Sequence, residues 1–204
     1  MRFLLSIPSL YTYFQEIVGG HKARLAYLEN WVCAKEGSRV LDIGCGPGEM
    51  VTYFPSCEYT GIDVSEAYIR KANAAYGDKG TFYCYSIDQA FQQDWEPFDL
   101  VHCTGVLHHV PDDLARDIAR LAAHFLKPEG YFCTLDGCFA DGQSFLARTM
   151  LKLDRGQFMR TQPEYETILK DSFDEIEVEY SADAFTIPYP SVIFRCRKPR
   201  KPQV

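Results

Sequence analysis

Val40-Leu41-Asp42-Ile43-Gly44-Cys45-Gly46-Pro47-Gly48 is the stretch that decides the fold of this chain. An apolar run of strand type ends in an acid. Three glycines then alternate with other residues ahead of a helix. Glycine belongs where the backbone must turn sharply or let a ligand lie against it. In an open parallel sheet, such a turn follows the carboxyl end of a strand, which is where these sheets bind ligands.

Working outward, short apolar runs predict strands over 39–42, 58–63, 81–87, 98–103 and 130–134. Helical patterns lie between them. One follows Gly48. A second runs from Ser65, its N-cap, to about Tyr76. A third spans 112–126, with Leu114, Ile118, Leu121 and Phe125 on one stripe. Strands alternating with helices and joined by short turns predict a doubly wound α/β fold, a mostly parallel sheet covered on both faces. After Asp136 the rhythm changes. A helix is expected over 143–153, then a turn at Asp154-Arg155-Gly156. The pattern Thr161-x-x-Glu164 is a capping box opening a helix to about Ser172. The strict alternation of 175–180 and the run 191–198 predict a closing antiparallel strand pair. Before Arg39, one helix opens at Pro8-Ser9 and breaks at Gly19-Gly20, and another carries Leu25, Leu28, Trp31 and Val32 on one side.

The chain has 204 residues, which predicts one domain over 1–204. Acidic residues outnumber basic ones 28 to 21, for a net charge of −7. That sign argues against nucleic acid or an anionic membrane as the main partner. No run approaches the length of a membrane-spanning helix. The start, Met-Arg-Phe-Leu-Leu-Ser-Ile-Pro, superficially resembles a signal peptide, but Tyr11, Thr12, Tyr13, Gln15 and Glu16 break it and no cleavage site follows. Among the eight cysteines none forms a C-x-x-C pair, so zinc spacing is absent and no metal site is expected. Cys84, Cys103, Cys133 and Cys196 sit in apolar strand runs, a pattern that fits a reducing, cytoplasmic setting better than a disulfide framework.

The dinucleotide fingerprint G-x-G-x-x-G is missing. The motif here, D-x-G-x-G-x-G, resembles the first motif of the class I S-adenosylmethionine-dependent methyltransferases. Three later stretches agree: Tyr59-Thr60-Gly61-Ile62-Asp63, Ser86-Ile87-Asp88, and Phe98-Asp99-Leu100-Val101 followed by Gly105-Val106-Leu107-His108-His109-Val110. The turn Lys127-Pro128-Glu129-Gly130 extends the likeness to about Asp136. The resemblance implies a Rossmann-like seven-stranded sheet and S-adenosyl-L-methionine as cofactor. It places Asp42, Gly44, Cys45, Gly46, Gly48, Asp63, Val64, Ile87, Asp88 and Thr104 around that cofactor. Asp63 would take the ribose hydroxyls, Asp88 the adenine amino group, and Asp42 the methionine end or the glycine loop.

For the chemistry, His108 is the first candidate base, with His109 and Asp136 behind it. The alternative for both histidines is to shape the cofactor pocket. Arg160 and Tyr165 flank the late helix as candidates to touch substrate, with a solvated surface role the stronger expectation for Arg160. The implied layout is a helical lid over 1–38 with Tyr11, Tyr13 and Phe14, a cofactor core over 39–136, and substrate-side helices with the last two strands over 137–198. No inserted substrate domain is present, which favours a small-molecule acceptor at oxygen, nitrogen or carbon. Oligomeric state does not follow from these residues. The competing readings are a non-catalytic S-adenosylmethionine-binding subunit and, more remotely, an NAD-dependent oxidoreductase.

Overall fold

The computed structural model describes residues 25, 27–153, 157–181 and 189–200. The strands are β1 (Arg39–Ile43), β2 (Glu58–Asp63), β3 (Thr81–Cys84), β4 (Phe98–Thr104), β5 (Leu126–Phe139), β6 (Arg160–Thr161), β7 (Phe173–Ser181) and β8 (Ser191–Pro199). Seven lie in the order β3-β2-β1-β4-β5-β8-β7, and the two-residue β6 pairs with β5 off that path. β1 to β5 run parallel to one another, whereas β8 is antiparallel to both β5 and β7. The expected α/β class and its closing antiparallel pair are both present. The chain order reverses at β1, between β2 and β4, and the glycine turn leaves the sheet there.

The helices are α1 (Glu66–Tyr76), α2 (Ile87–Phe91), α3 (Asp112–Phe125), α4 (Phe145–Leu153) and α5 (Gln162–Leu169). Ser65 caps α1, accepting the Tyr68 N–H, and Ser86 and Gln89 close a reciprocal capping box on α2. Alternation along the strands sorts the core. Leu41, Ile43, Val101, Cys103 and Phe132 pack towards α3 and α5. Val40, Tyr59, Leu100 and Cys133 pack towards α1 and the residues Tyr27 and Val32. No helix among the described residues is long and apolar enough to cross a membrane.

Several expectations need correction. The segment after Gly48 is a single 3-10 turn, Glu49–Tyr53. Before β1, the described residues hold a π-type turn, Leu28–Val32, that buries Tyr27 and Val32 more deeply than Leu28 or Trp31. β3 ends at Cys84, so Asp88 is not at a strand end; it lies exposed in the first turn of α2. Cys84 is likewise exposed. On α3 the expected Ile118, Leu121 and Phe125 are buried, but Leu114 is 36% exposed. Ala115, Ala119, Ala122 and Ala123 are buried with them, so the large residues mark only part of the packed face. The turn at Lys127–Gly130 interrupts the pairing rather than preceding it: between Phe98↔Leu126 and Leu100↔Tyr131, β5 advances five residues against two on β4. The aromatic residues 11, 13 and 14, and the turn 154–156, lie outside the described residues.

Gly48 offers a sharp test of the glycine turn. Its φ is +85°, and an added Cβ would stand 2.8 Å from Ala72 Cβ and 2.9 Å from Phe82 Cε1. Left-handed strain and overpacking act together here, so Gly48→Ala should cost about 2 to 4 kcal/mol in urea denaturation. Gly37, with φ +75° and open space around it, provides the comparison: Gly37→Ala should cost only about 1 kcal/mol. Equal costs at the two positions would mean that the approach of α1 and β3 to Gly48 carries no energy.

Candidate functional site

The glycine turn folds over the end of β2. The N–H groups of Gly44 and Cys45 both donate to Ile62 O, at 2.8 and 3.0 Å. The next donor, Gly46 N–H, reaches Asp63 Oδ2 at 3.0 Å, and Ser65 N–H reaches Oδ1 at 2.7 Å. Asp63 is therefore held by one backbone donor on each oxygen. Each oxygen keeps a second lone pair. Burial raises the Asp63 pKa above the usual carboxylate value, the two N–H donors work against that, and the charge of Asp42 adds to it. Further hydroxyl donors would stabilise its charged form.

The turn also needs glycine for contact reasons. At Gly44 (φ +77°) a Cβ would come 2.5 Å from Val106 Cγ2, so the two loops at the ends of β1 and β4 touch there. At Gly46 (φ +55°) an added Cβ would meet nothing within 4 Å among the described residues. A bare, left-handed backbone position beside a half-buried carboxylate is a cradle for a ligand that lies on the main chain. Val64, the residue after Asp63, is 75% exposed, and Ile87 is half-buried at the start of α2. The Asp63 carboxylate, the bare backbone and this apolar surface fit an adenosyl group bearing a ribose diol.

Asp42 does not reach towards that cradle. It is 2% exposed. Its Oδ1 lies 3.2 Å from His102 Nδ1, and its Oδ2 accepts the Tyr59 hydroxyl. His102 is its register partner across β1 and β4 and is fully buried. An ionised carboxylate only accepts, so the imidazole donates from Nδ1 and takes the Thr104 hydroxyl on Nε2, at 2.8 Å. Asp42 thus braces the strand ends, and Thr104, half-buried at the end of β4, is the member nearest the surface.

On the other face a second His–Asp pair forms. A one-turn helix, Leu107–His109, follows β4. His108 Nδ1 lies 2.8 Å from Asp136 Oδ1 on β5, and the His108 backbone N–H donates to the same oxygen at 3.2 Å. The Thr134 hydroxyl donates to Asp136 Oδ2 at 2.5 Å. His108 is 4% and Asp136 2% exposed. The carboxylate fixes the tautomer with the proton on Nδ1, which leaves the basic lone pair of the neutral ring on Nε2. The His109 ring packs against that of His108, with centroids 4.1 Å apart. Two of the candidates for chemistry, His108 and Asp136, are therefore brought into contact, and His109 adjoins them.

Two residues behave otherwise than the sequence suggests. Arg160 is not solvated; it is 5% exposed and bonded to the turn that carries His108. Tyr165 is 1% exposed, and its hydroxyl donates to Gly137 O at 3.0 Å, so it is a core residue. His102 and Tyr59 went unread. The signal was available: a histidine inside an apolar strand run must find a partner, and Asp42 is the acid on the neighbouring strand.

A family model described as a methyltransferase domain matches residues 40–130. A ubiquinone biosynthesis O-methyltransferase of Idiomarina loihiensis is 33% identical over 120 residues, covering 55% of this chain and 49% of that protein. The chain thus spans about half the length of the curated relatives it matches. Among solved structures, a protein of Pyrococcus horikoshii OT3 aligns with a TM-score of 0.67 at 20% identity, over 94% of this chain and 100% of that one. Magnesium protoporphyrin IX methyltransferase from Synechocystis PCC 6803, solved with S-adenosylhomocysteine, aligns with a TM-score of 0.65 at 22% identity, over 91% and 87%. These structural likenesses speak for the fold. The matched segment runs from β1 into β5 and holds the glycine turn, Asp63 and the His108 turn. Residues 40–130 are therefore similar in sequence to a methyltransferase domain, and the fold around them is that of the solved methyltransferases.

Proposed function

We propose that the chain transfers a methyl group from S-adenosylmethionine to a hydroxyl oxygen of a small molecule. The observation that carries this reading is the buried His108–Asp136 pair at the ligand-binding end of the sheet. The O-methyltransferase relatives support oxygen as the acceptor atom.

When bound, S-adenosylmethionine supplies an electrophilic methyl group on a sulfonium. The protein's part is to hold and to deprotonate. Asp63 offers its two remaining lone-pair positions to a ribose diol. The bare Gly46 backbone admits the ligand, and Val64 and Ile87 give apolar surface to a flat base. Thr104, its hydroxyl proton committed to His102, presents acceptor lone pairs at the end of β4. His108 Nε2 takes the proton of the acceptor hydroxyl, and Asp136 stabilises the imidazolium that results.

In this reading residues 39–136 serve the cofactor, and the segments before and after them serve the acceptor. Phe145, 88% exposed, and Phe158, 38% exposed, support an aromatic acceptor surface on the later segment. The eight thiols are all free, five of them buried, which supports a reducing compartment.

The test is methyl transfer from labelled S-adenosylmethionine to a panel of phenols, with amines in parallel. His108→Ala should lower turnover about 100-fold or more. Its affinity for S-adenosylhomocysteine should stay within about twofold of wild type, a difference well under 1 kcal/mol. Unchanged turnover would make His108 a structural residue. Labelling of amines but not phenols would overturn the choice of acceptor atom.

A further inference from the structure

We infer that Arg160 is a positioning residue that fixes the turn bearing His108 at hydrogen-bonding distance from Asp136. This deepens the reading above and takes its functional meaning from it, although the geometry stands independently. Within the turn Leu107–His109, Leu107 O receives only a long bond from Val110 N–H, at 3.4 Å. Arg160 adds shorter bonds from outside. Its Nη1 donates to Leu107 O at 2.7 Å and its Nη2 to Val110 O at 2.8 Å, one bond at each end of the turn. Between them, His108 O accepts the Phe158 N–H at 3.1 Å.

The clamp itself is anchored. Arg160 pairs in register with Cys138 on β5, two residues beyond Asp136. A closed circuit results: Asp136 leads along β5 to Cys138, across β6 to Arg160, through the guanidinium to the turn, and from His108 back to Asp136. Each partner in the His–Asp pair is thereby referred to the same strand. Arg160 Nε and Nη2 also donate to Asp112 Oδ1 in the first turn of α3, at 2.9 and 2.6 Å. That carboxylate is 65% exposed, while the Arg160 side chain is 6% exposed. An exposed ion pair is too weak to explain why a guanidinium is buried here. Two carbonyls and a carboxylate met at once by a planar fork are a task for arginine and not for lysine.

The test reads the pair directly and needs neither cofactor nor acceptor. In protein with ¹⁵N-labelled histidine, the His108 ring is assigned by its disappearance in His108→Gln. Wild type should show a slowly exchanging Nδ1–H. In Arg160→Ala and in Arg160→Lys that signal should be lost, and amide exchange at His108 and Phe158 should rise at least tenfold. Asp112→Ala, which removes only the link to α3, should leave the signal and both exchange rates as in wild type. Persistence of the signal and slow exchange in the Arg160 variants would overturn the inference, as would their loss in Asp112→Ala. Should Arg160→Ala not fold, Arg160→Lys decides. Calorimetry with S-adenosylhomocysteine on the same wild-type sample keeps the two readings apart: no binding there would sink the cofactor reading and leave the ring signal to be judged by itself.

Discussion

Replacing Asp63 with alanine is expected to weaken S-adenosylhomocysteine binding by at least about a hundredfold, because hydrogen bonds to a charged acceptor are worth about 1.5 to 3 kcal/mol each and a diol makes two. The side chain is pre-placed for this by Gly46 N–H and Ser65 N–H. Alanine therefore also releases the tip of the glycine turn. The pH dependence follows from the same carboxylate. Burial raises its pKa in the free protein, so charging Asp63 costs folding energy, and that cost disappears as the pH falls and the group is protonated. Donors from a bound diol favour the charged form and lower the pKa again. Affinity should accordingly be full at neutral pH and decline as the pH drops through the raised value of the free protein. Calorimetry at descending pH checks the sign. An affinity that Asp63→Ala leaves unchanged, in a protein that is still folded, removes the ribose assignment.

Asp42→Ala should act on stability more than on any ligand. It strands two buried donors, the His102 ring N–H and the Tyr59 hydroxyl, in the centre of the sheet. Unsatisfied buried groups cost about 1 to 3 kcal/mol each. Breaking such a pair costs about 3 to 5 kcal/mol in all, and for a chain of this length that lowers the melting temperature by on the order of 10 °C. Asp42→Asn keeps an acceptor for His102 and a polar partner for Tyr59, so about 1 kcal/mol is expected. A loss below about 0.5 kcal/mol for Asp42→Ala in urea denaturation would show that the network contributes nothing net. Collapse of cofactor affinity with no loss of stability would return Asp42 to the ligand.

The parts of the molecule legible in the sequence are those set by neighbours in the chain. β2 falls on the predicted residues 58–63 because an apolar run there ends in an acid and a serine cap. The capping box at Thr161 and Glu164 is present, and those bonds hold the Glu164 carboxyl below its ordinary pKa. What escaped is set by partners far away. Arg160 reads as a charged residue before a helix, yet what buries it are carbonyls about fifty positions earlier, which leave no periodic trace. The burial of Tyr165 is hidden for the same reason, since its hydroxyl meets Gly137 O. The stripe on α3 was legible at Ile118, Leu121 and Phe125, which are buried; Leu114 is the exception, and Ala115, Ala119 and Ala122 share the packed face without the bulk that marks a stripe. Asp63 and His108 stand out in the sequence because one ends the apolar run that forms β2 and the other lies just after the run that forms β4. The pairing of His108 with Asp136 was not legible, since it joins a turn after β4 to a residue of β5 that is 28 positions away.

The most direct test of the central claim is calorimetric titration of the purified chain with S-adenosylmethionine, S-adenosylhomocysteine and NAD in parallel. Micromolar binding of the two adenosyl sulfur compounds, with no heat from NAD, is the predicted result. Binding of NAD instead, or of none of the three, would contradict the reading of the glycine turn and Asp63 as an S-adenosylmethionine site.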